Sequence, residues 1–416
     1  MSKYIINGGN ILNGTVNVRG AKNSVLPLLA ASILTDEQVI LHNCPNITDV
    51  ANMIKMLQAM GVVVSRENGN IIINSSTLDS FIISPDLAKE VRSSLFLLGP
   101  ILGRLKQGKA SYPGGCEIGL RPIDIHIKGL SELNVHIEEK SGYIECDGTK
   151  MRGADIMLDY PSVGATENIM MAAVTAPGYT IIRNAAKEPE IIDLQDMLFK
   201  MGAKIKGAGN NVIYIEGVEK LHGTEHTPIP DRIVAGTYVI ACAVCGGNIE
   251  LTNVDPEHIS SLLVKLSKTT CKIDVKNDRI YVSNNRRLKS LGYVETMPYP
   301  GYPTDLQAQT MVLEAVACGT SIIVENIFET RFKHVPELVK MGAIITVKDR
   351  YAFIRGVEKL HGAEVRASDL RGGVALVLAG LKADGTTIVN DISHIDRGYE
   401  NLEENLRIIG ADIRRE

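Results

Sequence analysis

One short pattern recurs along the whole chain and restricts it to a repeat architecture. Ala59-Met60-Gly61-Val62-Val63-Val64 resembles Lys200-Met201-Gly202-Ala203-Lys204-Ile205, Lys340-Met341-Gly342-Ala343-Ile344-Ile345 and Ile408-Ile409-Gly410-Ala411-Asp412-Ile413. Two looser copies, at 132–137 and 268–273, complete a series whose third positions fall at 61, 134, 202, 270, 342 and 410. Six copies averaging about 69 residues account for all 416 positions, so the fold must be built by stacking like units.

Each copy carries the same succession. An apolar helical segment leads to a Gly and a β-branched strand, as in Ala172-Ala173-Val174 before Gly178-Tyr179-Thr180-Ile181-Ile182, and Ala315-Val316-Ala317 before Gly319-Thr320-Ser321-Ile322-Ile323-Val324. Gly past a last turn is a helix stop, because it takes the left-handed conformation without a Cβ clash. An Asn turn follows (Asn43, Asn184, Asn253, Asn326), then a helix with apolar residues three and four apart. Leu194, Met197, Leu198 and Met201 show that stripe, as do Val50, Met53, Ile54 and Leu57. Two helices and several strands per unit predict a mixed α/β fold. Six units divide economically into two lobes of three, with a cleft between them, the usual place for a small-molecule site.

Composition excludes several classes. Hydrophobic residues make up 45% and charged residues 22%, the balance of a soluble globular protein. The net charge of −4 from 44 basic and 48 acidic side chains argues against a nucleic-acid coat or a polybasic membrane binder. With no Trp and 5% aromatics, stacking platforms for single strands are not expected either. Seven scattered Cys make no disulfide framework, the N-terminus lacks an apolar signal core, and the apolar stretches near 25–34 and 233–245 are too short to span a bilayer. A cytoplasmic location is therefore expected.

The familiar cofactor motifs are missing: no Gly-x-Gly-x-x-Gly after a strand, no Walker-type Gly-Lys-Ser/Thr, no His-Glu-x-x-His and no nucleophile elbow. Cys242-Ala243-Val244-Cys245 stands alone in an apolar run and reads as one buried helix face. The nine His show no ligand spacing, so no metal is expected.

Three places break the repeat in ways that suggest chemistry. The loop Tyr112-Pro113-Gly114-Gly115-Cys116-Glu117-Ile118-Gly119-Leu120-Arg121-Pro122-Ile123-Asp124 sets one Cys among Gly and Pro, beside Arg121 and with Lys109 nearby. A loop thiol in a cationic setting is the reactive kind, whereas a Cys elsewhere is more often core filler. Gly20-Ala21-Lys22-Asn23-Ser24 opens an apolar helix, where backbone N–H groups favour anions. Taken alone, an Asn cap beside a solvated Lys is the better explanation. Thr296-Met297-Pro298-Tyr299-Pro300-Gly301-Tyr302-Pro303 lengthens the approach to Asp305, which lies 35 residues beyond its repeat signature. Asp231 and Asp369 lie only 29 and 27 beyond theirs and can be plain helix caps. Asp305 is the better candidate for chemistry.

These landmarks together resemble the enolpyruvyl transferases over essentially the entire chain. The resemblance rests on Lys22-Asn23, the Gly-Gly-Cys-x-Ile-Gly-x-Arg-Pro loop at 114–122, Pro303-Thr304-Asp305, Asn326-Ile327-Phe328-Glu329-Thr330-Arg331, Asp369-Leu370-Arg371 and Asp396-Arg397-Gly398. The family variant with Asp in place of the loop Cys is not the one here. The resemblance implies two inside-out α/β barrel domains, residues 22–229 and residues 1–21 plus 230–416, with the active site in the interdomain cleft. It implies transfer of the enolpyruvyl group of phosphoenolpyruvate to the 3-hydroxyl of UDP-N-acetylglucosamine with release of phosphate. That is the first committed step of peptidoglycan synthesis, on which cell shape and division depend.

On the same resemblance, Cys116 is the general acid and can bond phosphoenolpyruvate covalently, and Asp305 takes the sugar hydroxyl proton. Lys22, Arg121 and Arg397 clamp phosphate and carboxylate, supported by Arg331 and Arg371. Asn23, Arg92, Arg121, Pro122, Ile123, Asp124, Ile125, Ser162, Val163, Gly164, Asp305 and Ile327 match positions that contact the nucleotide sugar, with Phe328 near the sugar. No cofactor is implied, since cationic side chains stabilise the developing charge; nor is nucleic acid, membrane or an obligate protein partner. Closure of the lobes, with the Cys loop as lid, would exclude water. Three rivals stand beside this reading: the sister transferase acting on shikimate 3-phosphate, which lacks the Cys loop; an RNA-end phosphate enzyme or RNA-binding protein of similar repeats; and a silent paralogue that binds UDP-sugar alone.

Overall fold

The computed structural model describes residues 2–83, 94–111, 123–140 and 142–416. The Cys loop at 112–122 and Arg92 lie outside the described residues, and with them four site expectations: Cys116, Arg121, Pro122 and Arg92. The described backbone forms two compact units, and the chain passes between them at 19–20 and 229–230.

In the unit holding 2–19 and 230–416, three four-stranded sheets enclose three apolar helices, Arg232–Cys245, Gln307–Val316 and Leu370–Lys382, which touch one another. All ten residues of Gln307–Val316 are buried. The topology explains why these helices are inside. Tyr293–Glu295 and Thr320–Val324 run parallel, as do Glu364–Arg366 and Thr386–Asn390, and a parallel pair needs a crossover. The crossovers are Gln307–Val316 and Leu370–Lys382, so each helix packs on its own sheet and on its two counterparts. Helices in the middle and sheets around them make the lobe an inside-out barrel. The outer strands close by antiparallel hairpins, for example Lys348 opposite Tyr351. The N-terminal strand Lys3–Asn7 sits between Thr386–Asn390 and Asp412–Arg415, with Ile6 opposite Ile413. That pairing ties the first residues to the last repeat.

The other unit has the same plan. Its apolar helices are Lys22–Ala31, Leu98–Leu105 and Val163–Ala173, and its sheets are built on Gln38–Leu41, Gln107–Ser111 and Tyr179–Arg183. Among the described residues the second of these has three strands, with an isolated parallel bridge between Ile82 and Lys109 at the place of a fourth. This is the two-domain α/β fold that the repeat predicts.

The repeat signature has a backbone cause. Gly61, Gly202, Gly342 and Gly410 all have φ between 90° and 101°, turning the amphipathic helix into the next strand. Asn134 takes the same role at φ 64°, because Asn tolerates the left-handed region better than other side chains. The Asn turns differ in one copy: Asn43, Asn184 and Asn253 are left-handed and Asn326 is not, while in the last copy Asp391 takes the left-handed conformation after Thr386–Asn390. Gly178 and Gly319 do not end their helices. Those helices finish at Ala173 and Val316, and the Gly residues, at φ 95° and 125°, turn the chain into the strands that follow. Of the quoted stripes, Leu194, Met197, Leu198, Met201, Val50, Met53 and Leu57 are fully buried, with Ile54 at the margin.

Candidate functional site

Asp305 departs from its counterparts in the repeat. Asp231 Oδ1 accepts from the N–H groups of Ile233 and Val234, and Asp369 Oδ1 from those of Arg371 and Gly372, both at 2.9 Å. These are helix caps. The Asp305 carboxylate turns instead to two guanidiniums: Arg331 Nη2 donates to Oδ1 at 2.6 Å and Arg371 Nη2 to Oδ2 at 2.8 Å. The Arg331 and Arg371 side chains are 3% and 5% exposed, so the pairs are shielded from water on the cationic side. Burial works against the charged form of Arg371, but Asp305, Tyr399 and Asp231 outweigh it and raise its pKa, so the guanidinium is permanently cationic.

Buried Glu325 joins this cluster to the 326–328 turn. Its Oε1 accepts from Thr296 Oγ1 at 2.9 Å and from the backbone N–H groups of Ile327 and Phe328, while Oε2 accepts from Thr304 Oγ1 at 2.9 Å. One carboxylate thus anchors the lengthened approach loop, the residue before Asp305 and two sugar-site candidates. The Arg331 guanidinium lies over the Phe328 ring, 5.4 Å from its centroid. Arg397 belongs to the same unit, half-buried beside Gly398. No local pattern marked Glu325, because its four partners come from three separate segments.

The other candidates lie in the second unit. Lys22 opens the helix Lys22–Ala31, whose N-cap is Ala21 and carries no side-chain cap, so the Asn-cap alternative does not hold. Nor is Lys22 solvated: its Nζ meets Asp49 Oδ2 at 2.7 Å, with side chains 12% and 3% exposed. In sequence Asp49 reads as a first-turn acid of the helix Thr48–Ala59, and only tertiary packing makes it the partner of Lys22. Asn23, half-buried, follows in the same first turn.

Ser162 caps the helix Val163–Ala173 by accepting from Ala165 N–H at 3.4 Å. Asp124 and Ile125 open the helix Asp124–Glu132, after Ile123. His126 links these two helix starts. A Cβ on Gly164 would stand 3.1 Å from His126 Cε1 and 3.0 Å from Phe96 Cε1, so any larger residue would have to push one of the two rings aside. Asn168 fixes the imidazole: its Oδ1 accepts from Gly99 N–H, leaving its amide hydrogens for Leu95 O and His126 Nδ1, at 2.7 and 2.8 Å. His126 Nδ1 must therefore accept. Burial, opposed by Asp124, lowers its pKa to about 4 from the usual 6.5.

A pH dependence follows. The unfolded chain binds this proton below pH 6.5 and the folded chain only near 4, so stability is full above 6.5 and falls as pH drops through that window. The shift corresponds to about 3 kcal/mol. The acid-side slope of the melting temperature is expected to flatten in His126→Gln; an unchanged slope would rule out a buried neutral imidazole as its source.

Cys242 and Cys245 lie within the buried helix Arg232–Cys245, where burial pushes both thiols up to about 12. They pack as hydrophobes. No group of His, Cys, Asp or Glu among the described residues is arranged to hold a metal, and no described helix is long and apolar enough to cross a membrane.

Comparison with known proteins agrees over the whole length. The sequence profile of the EPSP synthase (3-phosphoshikimate 1-carboxyvinyltransferase) family matches residues 6–406. A UDP-N-acetylglucosamine 1-carboxyvinyltransferase 2 of Caldanaerobacter subterraneus subsp. tengcongensis is 54% identical over 413 residues, 99% of each chain. A UDP-N-acetylglucosamine 1-carboxyvinyltransferase of Halothermothrix orenii is 48% identical, covering 100% of both. Among solved structures, the enolpyruvyl transferase NikO from Streptomyces tendae superposes with a TM-score of 0.90 at 26% identity, over 100% of this chain and 98% of its own. EPSP synthase from Acinetobacter baumannii, at 18% identity and a TM-score of 0.78 over all of both chains, shares the fold.

Proposed function

The chain belongs to the EPSP synthase family of enolpyruvyl transferases, and on that premise we infer that it transfers the enolpyruvyl group of phosphoenolpyruvate to the 3-hydroxyl of UDP-N-acetylglucosamine, releasing phosphate. The observation that carries this is identity of 48 to 54% over the full length to proteins named for that activity. A 1-carboxyvinyl group on the sugar oxygen belongs to peptidoglycan synthesis.

The residue roles are proposals beyond that reading. Addition to the alkene needs a proton at its methylene carbon and attack by the sugar hydroxyl at the adjacent carbon. Elimination of phosphate and a proton then restores the double bond. Cys116 is the proposed acid. Asp305 is the proposed acceptor of the hydroxyl proton. Each carboxylate oxygen holds a guanidinium N–H donor and keeps a second lone pair for the sugar hydroxyl. The carboxylate of phosphoenolpyruvate is an anion that Arg331 or Arg371 can also meet. Lys22 and Arg397, with Arg121, are the proposed phosphate and carboxylate clamp. Asn23, Arg92, Pro122, Ile123, Asp124, Ile125, Ser162, Val163, Gly164, Ile327 and Phe328 are proposed to receive the nucleotide sugar.

Two-substrate phosphate release tests the reading. Release is expected only with phosphoenolpyruvate and UDP-N-acetylglucosamine together, and Cys116→Ala should cut it by about 10²–10⁴-fold, the usual worth of a positioned acid. Release with either substrate alone would count against the transfer. Undiminished release in Cys116→Ala would remove the thiol from the mechanism.

A further inference from the structure

Arg371 is held from two sides. Its Nη2 serves Asp305, while Nη1 donates to Tyr399 Oη at 3.3 Å and the guanidinium lies 5.7 Å from the centroid of the Tyr399 ring. We propose that Tyr399 is a positioning residue of the transfer reaction, orienting Arg371 towards the anionic substrate through a hydrogen-bond node that joins the three apolar helices of its unit. The proposal rests on the transferase reading above.

The direction of each hydrogen bond in the node is determined. Thr237 Oγ1 donates to Ile233 O at 2.8 Å, which commits its only proton. The contact of 2.8 Å between Thr237 Oγ1 and Tyr399 Oη therefore has tyrosine as donor. The phenol oxygen then accepts twice, from Arg371 Nη1–H and from Gln309 Nε2–H at 3.3 Å. One donor and two acceptor positions are what a phenol has, and all are in use. Gln309 Nε2 also reaches Thr237 Oγ1 at 3.2 Å. Thr237, Gln309, Arg371 and Tyr399 are each no more than 4% exposed, so water cannot substitute freely for a lost partner.

The node draws on Thr237 from Arg232–Cys245, Gln309 from Gln307–Val316 and Arg371 from Leu370–Lys382. Tyr399 follows Arg397 by two residues in the turn where Gly398 and Tyr399 N–H groups donate to Ile395 O. One hydroxyl thus registers Arg371 against the turn that carries Arg397. Were this only a packing device, its loss would lower stability without changing how the substrate is held.

Tyr399→Phe separates the two cases. It keeps the ring over the guanidinium and removes the hydroxyl, freeing Nη1. The KM for phosphoenolpyruvate is expected to rise about tenfold, the usual worth of a hydrogen bond to a charged group, with kcat within about threefold of wild type and the KM for the nucleotide sugar unchanged. Thr237→Val, which leaves the tyrosine in place but removes its acceptor, should shift the same KM in the same direction by less. In an Arg371→Lys background, Tyr399→Phe should add nothing, because the pinned N–H is already absent. Wild-type KM in Tyr399→Phe, or full additivity with Arg371→Lys, would overturn the proposal while wild-type turnover leaves the transferase reading intact. Should Tyr399→Phe fail to fold, an unchanged KM in Thr237→Val overturns it equally. Absence of turnover in the wild type would overturn both.

Discussion

Asp305→Ala is expected to slow phosphate release by about 10²–10⁴-fold, the range a positioned proton acceptor contributes. The variant carries a second consequence. Arg331 and Arg371 share this carboxylate at 2.6 and 2.8 Å, and removing it leaves two buried guanidiniums short of negative charge. Breaking a buried ion pair from one side costs about 3–5 kcal/mol. Asp305 itself is 25% exposed, so the loss should fall below that range. Thermal unfolding of Asp305→Ala should come earlier than in the wild type.

Asp305→Asn separates the two effects. The amide keeps the size and one acceptor oxygen, so part of the stability should return, yet it cannot take a proton at neutral pH and turnover should stay low. Turnover within about threefold of wild type in either variant would remove Asp305 as the proton acceptor. It would leave the carboxylate as a counter-ion for the two arginines.

Lys22→Ala is expected to depress turnover by about 30- to 1000-fold, since a developing anion loses a shielded cation worth roughly 2–4 kcal/mol. The structure complicates a simple reading of that loss. Lys22 is paired with Asp49 at 2.7 Å, and Asp49 is 3% exposed, so the alanine variant also leaves a buried carboxylate without this lysine. The double variant Lys22→Ala with Asp49→Ala resolves it. If Lys22 acts on substrate, the double variant should recover melting temperature but not turnover. Recovery of both would make Lys22 merely the partner of Asp49.

How much of this was legible beforehand differs from element to element. The left-handed turn after the amphipathic helix was readable in five of the six copies because it requires Gly or Asn, and four of those use Gly; the copy with Thr270 does not take it. The special status of Asp305 was readable from the longer approach that delivers it. Asn326 shows the limit of such reading: it occupies the expected place in its repeat without the expected conformation, because the neighbouring Glu325 carboxylate organises that turn through Thr296 and the backbone of Ile327 and Phe328.

Periodicity and turn chemistry act between residues a few positions apart, and so the linear order alone sufficed for six like units and their buried helices, while the kind of reaction came from the resemblance of the motifs to the enolpyruvyl transferases. Which charges meet was another matter. Asp49 pairs with Lys22, Asp305 lies between Arg331 and Arg371, and Tyr399 holds one of those arginines through Thr237 and Gln309. Electrostatic and hydrogen-bonding energies depend on separations of about 3 Å between groups remote in sequence, and only the packing of the helices brings such groups to that distance.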